Sequence, residues 1–217
     1  MSYLLKIVLI ICCSNLCMGQ EPSAKFGITN LFDSLSVKGF SELDFEKSGI
    51  ISRMAYADTA NFMHQKIYPC ARCFLRSEVA EAVEKANEMA KKEGLQLVIY
   101  DCYRPYQFQY KMYEIVNNPK YVAEPGKGSN HNRGVAVDLS LADADGNLLD
   151  MGGEFDDFSK ISHYSAKGLS KSARKNRRLL RNIMKEAGFI PYEYEWWHFD
   201  FKNKEYPVAD FVWSCEE

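Results

Sequence analysis

The sequence predicts an α+β fold: a single domain with a small, mainly antiparallel sheet flanked by helices. Three observations lead there. The chain has 217 residues, a length that favours one domain over two. Its periodic stretches run helix, strand, helix, strand, helix, strand. A hairpin signal, Asp145-Gly146, follows the second strand closely, so the strands lie too near turns for parallel crossovers throughout. Hydrophobic residues make up 47% and charged residues 26%, enough apolar material for a sizeable core.

Residues 21–50 read as irregular, mixing Gly, Ser and Asp with scattered Phe and Leu. Ser77 is positioned to cap a first helix running to Glu93, with Gly94 as its stop. Val79, Val83, Ala86 and Ala90 give that helix a buried stripe. Leu95 to Cys102 reads as a strand rich in strand formers. Pro105 suits the first turn of a second helix, Tyr106 to about Val116, which Asn117-Asn118-Pro119 breaks. A Gly-rich loop, Glu124 to Ser129, leads to a second strand, Val135 to Leu141. Asp143 to Asn147 resembles a calcium loop but lacks the later Glu, and reads as a turn. Ser172 begins a third helix that ends at Gly188, and Phe189 to Phe201 is strand-like, interrupted by Pro191. Arg174, Lys175, Arg177, Arg178 and Arg181 cluster in the third helix, either as a solvated face or as a contact for anionic envelope material. The net charge of -2 implies no bulk attraction to nucleic acid.

The chain carries four histidines, His64, His131, His163 and His198. Two lie beside carboxylates in unusual settings. His131 sits in the loop Ser129-Asn130-His131-Asn132-Arg133-Gly134, and Asp138 follows seven residues later on a strand. Gly134 lets that loop turn closely onto the sheet. Glu195 and His198 stand among aromatics in Glu195-Trp196-Trp197-His198-Phe199-Asp200. Burial there makes an unpartnered Glu or His costly. Each could be satisfied by an ordinary pair; a shared metal would satisfy both. Hydrolytic zinc takes three protein ligands and leaves a position for water. His131, Asp138 and His198 fit that count, with one zinc per chain, and leave Glu195 as the base. In a regular strand Glu195 and His198 would face opposite sides, so a bulge or a turn must re-aim one of them. Arg104, just after a strand, either faces a developing oxyanion or closes a strand-end ion pair.

With these residues in hand, the chain resembles the D-alanyl-D-alanine dipeptidases, the vancomycin-resistance type of zinc dipeptidase. The resemblance runs from about Tyr56 to Tyr206. It rests on Tyr-Ala-x-x-x-Asn-Phe from Tyr56, Tyr-Asp-x-Tyr-Arg-Pro from Tyr100 and Ser-x-His-x-x-Gly-x-Ala-x-Asp from Ser129. Met-Gly-x-x-Phe-Asp from Met151, Ser162-His163, Asn176-Arg177-Arg178 and Glu195-Trp196-Trp197-His198 complete it. The resemblance implies zinc on His131, Asp138 and His198, Glu195 as general base and then proton donor, and Arg104 on the tetrahedral intermediate. It also implies Asp156 on the substrate ammonium with help from Tyr56, and Ser129 near the substrate carboxylate. The Tyr that helps bind that carboxylate in the family falls nearest Tyr68, in a register that does not align cleanly. The implied reaction is hydrolysis of D-Ala-D-Ala to two D-alanine in cell-wall turnover. The alternatives are a D,D- or L,D-carboxypeptidase or endopeptidase on longer wall peptides, and a non-catalytic zinc-containing wall-binding module. His163 reads either as an orienting partner of a metal ligand or as a packed core residue, and His64 as a surface or loop residue.

The first residues differ in composition from the rest. Lys6, the apolar run Ile7 to Cys13 and the small residues before Gln20 read as a signal peptide over 1–19, leaving 20–217 as the catalytic domain. The run is too short to span a bilayer comfortably, since a spanning helix needs about 20 apolar residues. The expectation is an exported, periplasmic enzyme with no stable membrane insertion once the signal is removed; the alternative is an anchor, uncleaved or lipidated. Cys70, Cys73, Cys102 and Cys215 remain, read as buried thiols or one structural disulfide.

Overall fold

The computed structural model describes residues 39–119, 121–202 and 205–215. The signal expected over 1–19 lies outside the described residues. Strand β1 (Phe40–Glu42), helix α1 (Phe45–Ser48) and strand β2 (Ile51–Ser52) come first. Of the stretch 21–50 expected to be irregular, 21–38 lie outside the described residues, while 40–42 and 45–48 form a short strand and one helical turn. Strand β3 (Phe74–Arg76) runs directly into helix α2 (Ser77–Lys92). Arg76, not Ser77, takes the cap position; Ser77 lies inside the helix, where its Oγ accepts from Ser41. Val79, Val83, Ala86 and Ala90 are buried, as the helical spacing predicts. Next come β4 (Gln96–Asp101), α3 (Tyr106–Val116), the single turn α4 (Asn130–Arg133) and β5 (Ala136–Ala142). Helix α5 (Lys171–Glu186), capped by Ser170, leads to β6 (Phe189–Pro191) and β7 (His198–Phe201).

The main sheet has the order β2-β4-β5-β7-β6, with one parallel pair, β2 with β4. The other neighbours are antiparallel, so the expected α+β class with a mainly antiparallel sheet holds. Strands β1 and β3 form a second, two-stranded sheet. The aromatic run 189–201 is a hairpin, not one strand. Pro191 lacks an N–H for the ladder, and β6 sits at the sheet edge where that is tolerated. Helices α2 and α5 pack on each other and on the sheet. Central β5 is buried along its whole length; its alternate residues Asp138 and Ser140 face away from the side taken by Val137, Leu139 and Leu141.

Two further expectations are corrected. Arg177 is not on a solvated helix face: it is buried and donates to three backbone carbonyls. Arg174, Lys175 and Arg178 are exposed. The cysteines form two disulfides, Cys70–Cys215 and Cys73–Cys102. The second joins the residue before β3 to the residue after β4. Among the described residues, no helix is long and apolar enough to cross a membrane.

Candidate metal centre

Sheet register builds the centre. Asp138 in β5 has His198 of β7 as its cross-strand partner on one side and Asp101 of β4 on the other. A register irregularity between Ile99 and Asp101 shifts the end of β4. His131 arrives from α4, whose capping box pairs Ser129 with Asn132. Gly134 ends α4 at φ 72°, and a Cβ there would stand 2.3 Å from the Phe40 ring. The tight turn onto the sheet thus requires glycine.

His198 Nδ1 lies 2.9 Å from Asp138 Oδ1, and His131 Nε2 lies 3.4 Å from Asp138 Oδ2. The two imidazole nitrogens are 3.2 Å apart. Each ring has its other nitrogen engaged. His131 Nδ1 donates to the Cys102 carbonyl at 2.7 Å, and His198 Nε2 donates to Asp200 at 2.9 Å. Those bonds fix the neutral tautomers, so both remaining lone pairs point at one another and at a carboxylate. Three acceptors facing each other repel unless a cation lies among them. The ligand atoms of His131, Asp138 and His198 all lie within 4.8 Å of one another. Neighbouring ligands of a tetrahedral ion with bonds of about 2.0–2.1 Å stand roughly 3.3 Å apart, close to the spacings here. The residues fit zinc. The electrostatics agree: burial alone would raise the Asp138 carboxyl, but the two imidazoles outweigh it and hold it well below the usual range. Burial alone would lower His198, but Asp138 and Asp200 outweigh it and raise it. A metal competes for the place that this field offers a proton.

Glu195 lies in the turn between β6 and β7, and its carbonyl accepts from His198 N at 3.3 Å. That turn resolves the awkward strand parity and brings Glu195 Oε2 to 3.9 Å from His198 Nδ1. Burial pushes the Glu195 carboxyl up. Arg104 is buried, with Nη2 on Asp101 at 2.7 Å and Nη1 on Gln109 at 2.9 Å. Burial alone would lower its guanidinium, but Asp101 outweighs that and keeps it charged. Its Nε is buried without a partner among the described residues.

Asp156 stands on the other wall. Its backbone is left-handed, φ 63°, a conformation Asp tolerates better than most residues. Tyr56 donates to its two oxygens at 3.1 and 3.2 Å. Burial first, and the charge of Asp138 second, push its carboxyl well up. Ser129 borders the same space, with its hydroxyl already engaged by Asn132. The residues expected to bind metal, catalyse or bind substrate (His131, Asp138, His198, Glu195, Arg104, Asp156, Tyr56 and Ser129) all line one cavity of about 300 Å³, at the small end of ligand sites.

Tyr68 is buried outside that lining and donates to Asp101 at 2.7 Å. His163 is half-buried, edge-on to Tyr194 at 5.1 Å. Tyr194 packs on Tyr192, which packs on His198. His64 is exposed in a loop. The sequence reading missed Asp101, Gln109 and Asp200. Asp200 was findable: two residues after His198 on a strand, it shares that residue's face. Asp101 had a weaker signal, a carboxylate ending an otherwise apolar strand.

A family profile described as D-ala-D-ala dipeptidase matches residues 38–213. The chain is 41% identical over 163 residues to a D-alanyl-D-alanine dipeptidase of Escherichia coli K12, covering 75% of this chain and 84% of that one. It is 33% identical over 197 residues to one of Enterococcus faecium, covering 80% and 96%. Among solved structures, the LD-carboxypeptidase LdcB overlays with a TM-score of 0.42 at 25% identity over 59% of each chain, too loosely to transfer any role.

Proposed function

This chain belongs to the D-Ala-D-Ala dipeptidase family, and on that footing we propose that it hydrolyses free D-alanyl-D-alanine to two D-alanine using one zinc ion. The observation that carries the reading is the pairing of two features in one small cavity. One wall brings together two histidines and a carboxylate whose lone pairs converge. The other holds a half-buried carboxylate, Asp156, whose partner is the Tyr56 hydroxyl. Such a carboxylate suits a substrate ammonium and rejects a blocked amine.

His131, Asp138 and His198 hold the zinc. Zinc bound there polarises the scissile carbonyl and makes water acidic near neutral pH. Glu195 takes a proton from the attacking water at Oε2, while the water oxygen bonds to the carbonyl carbon. The Arg104 guanidinium faces the oxygen that gains negative charge. Glu195 then delivers its proton to the leaving nitrogen as the C–N bond breaks. Asp156, oriented by Tyr56, holds the free ammonium, and Ser129 borders the carboxylate end.

The protein acts outside the cytoplasm, in the periplasm, on dipeptide released from the wall. Support comes from the signal pattern over 1–19 and from two disulfides, which persist in oxidising compartments. Recovery of the protein only in the cytosolic fraction would refute that placement.

The test compares D-alanine release from D-Ala-D-Ala and from N-acetyl-D-Ala-D-Ala, before and after chelation and zinc return. Cleavage of the free dipeptide alone, lost on chelation and restored by zinc, is expected. Equal cleavage of the blocked dipeptide would favour a carboxypeptidase or endopeptidase instead. Bound zinc without turnover would favour a binding module.

A further inference from the structure

Helix α5 carries a buried cation that the reaction above does not use. Arg177 is 2% exposed. Its Nε donates to Met151 O at 2.6 Å, its Nη1 to His163 O at 2.9 Å and its Nη2 to Ile161 O at 2.9 Å. Among the described residues it makes no ion pair. Burying a charge with no carboxylate in contact is costly; here three carbonyl dipoles meet it, and Asp150 acts on it only through space. Those carbonyls bracket the segment that bears Phe155, Asp156 and Phe158. Asn176, one residue earlier, donates to Asp150 O at 2.9 Å and fastens the same segment. Ser162, between two of the clamped carbonyls, does two further things. Its hydroxyl donates to Asp157 O, and its carbonyl accepts from Trp196 N at 3.0 Å. Trp196 directly follows Glu195. The guanidinium also lies 5.7 Å from the Trp196 ring centre.

We propose that Arg177 is a positioning residue: it locks the Asp156 segment to the Glu195 turn, and so fixes the distance between the carboxylate that holds the substrate ammonium and the base that deprotonates the attacking water. The proposal rests on the roles given above to Asp156 and Glu195. The left-handed backbone of Asp156 is a conformation that surrounding structure must impose, and this clamp is the structure that imposes it. The planar fork spreads its donors over three nitrogens, and each meets its own carbonyl here, whereas the donors of an ammonium all radiate from one atom. Lysine keeps the charge but reaches fewer of them, and methionine reaches none.

The experiment uses the whole zinc-loaded protein as wild type, Arg177→Lys, Arg177→Met and Asp156→Asn. Kinetics are measured on D-Ala-D-Ala and its N-acetyl form, with hydrogen exchange over 152–160 and 192–197. For Arg177→Lys we expect retained fold and zinc content, and faster exchange in both segments. A misplaced reacting group lowers kcat/KM by roughly up to 100-fold. We expect KM to rise, kcat to fall, and the preference for the free amine to drop toward that of Asp156→Asn. Arg177→Met should do the same more strongly where it folds. Unchanged exchange in either segment overturns the clamp. Faster exchange with wild-type amine preference overturns the positioning role. If Asp156→Asn itself keeps full preference, the reading of Asp156 fails instead, and exchange together with kcat still decides whether Arg177 sets the Glu195 turn.

Discussion

Replacing Asp156 with Asn separates substrate recognition from folding, because the structure predicts opposite signs for the two. On the role proposed for Asp156, the ammonium of a bound dipeptide loses its charged partner, while the shape of the site is kept. A hydrogen bond to a charged group is worth about 1.5–3 kcal/mol, and 1.36 kcal/mol is a factor of ten. The expected loss in kcat/KM for the free dipeptide is therefore roughly 10- to 150-fold, carried mainly by KM. Cleavage of the N-acetyl dipeptide should not fall. Folding should not suffer. Tyr56 donates to Asp156 at 3.1 Å, and the Asn oxygen can accept the same bond. Asn also tolerates the left-handed φ of 63°. Burial raises the Asp156 carboxyl above its unfolded range. The folded state thus prefers the protonated acid, and ionisation works against folding once pH exceeds the unfolded pKa. Asn removes that penalty, so the variant should melt at the wild-type temperature or higher at neutral pH, with the advantage fading as pH falls toward the unfolded carboxylate range. Coupled detection of D-alanine and a thermal melt across pH measure both arms. An unchanged kcat/KM, or a lower melting temperature at neutral pH, would refute the reasoning.

Three other substitutions probe the rest of the site. Glu195→Gln should lower kcat by roughly 10²–10⁴-fold, the range of general-base catalysis, with zinc content unchanged in elemental analysis because Glu195 is not among the three proposed ligands. Asp200→Asn removes the anion 2.9 Å from His198 Nε2; zinc affinity should fall about 10- to 100-fold, read by competition with a chromogenic chelator. Removing the Cys73–Cys102 bridge, which spans 29 residues, should cost about 3–4 kcal/mol by chain entropy. Urea unfolding measures that loss. The same variant should weaken zinc binding, because the Cys102 carbonyl orients His131.

Local patterning was legible. Helix α3 falls on Tyr106–Val116, because Pro105 and Asn117 mark its ends in the chain itself. Strand β5 lies within one residue of its expected bounds. The split of 189–201 into two strands was not legible, since an aromatic run reads alike in a strand and in a tight turn. Strands β1 and β3 were missed because three residues give no period to detect. Arg177 was misread for a similar reason. Within a basic cluster, nothing local distinguishes the one side chain that meets buried carbonyls.

The sequence by itself pointed to the proposed donor types, His131, Asp138 and His198 with Glu195 beside them, because metal and proton chemistry is written in residue identity. What only the tertiary structure decided is their arrangement. The antiparallel register sets Asp138 opposite His198, the turn at Glu195 aims its carboxylate at His198, and Asp101, Cys102 and Asp200 hold Arg104, His131 and His198 in place. Those contacts join residues as far as 67 positions apart, as with His131 and His198. Side-chain period carries no information about such pairings; they exist only once strands from distant parts of the chain share one sheet.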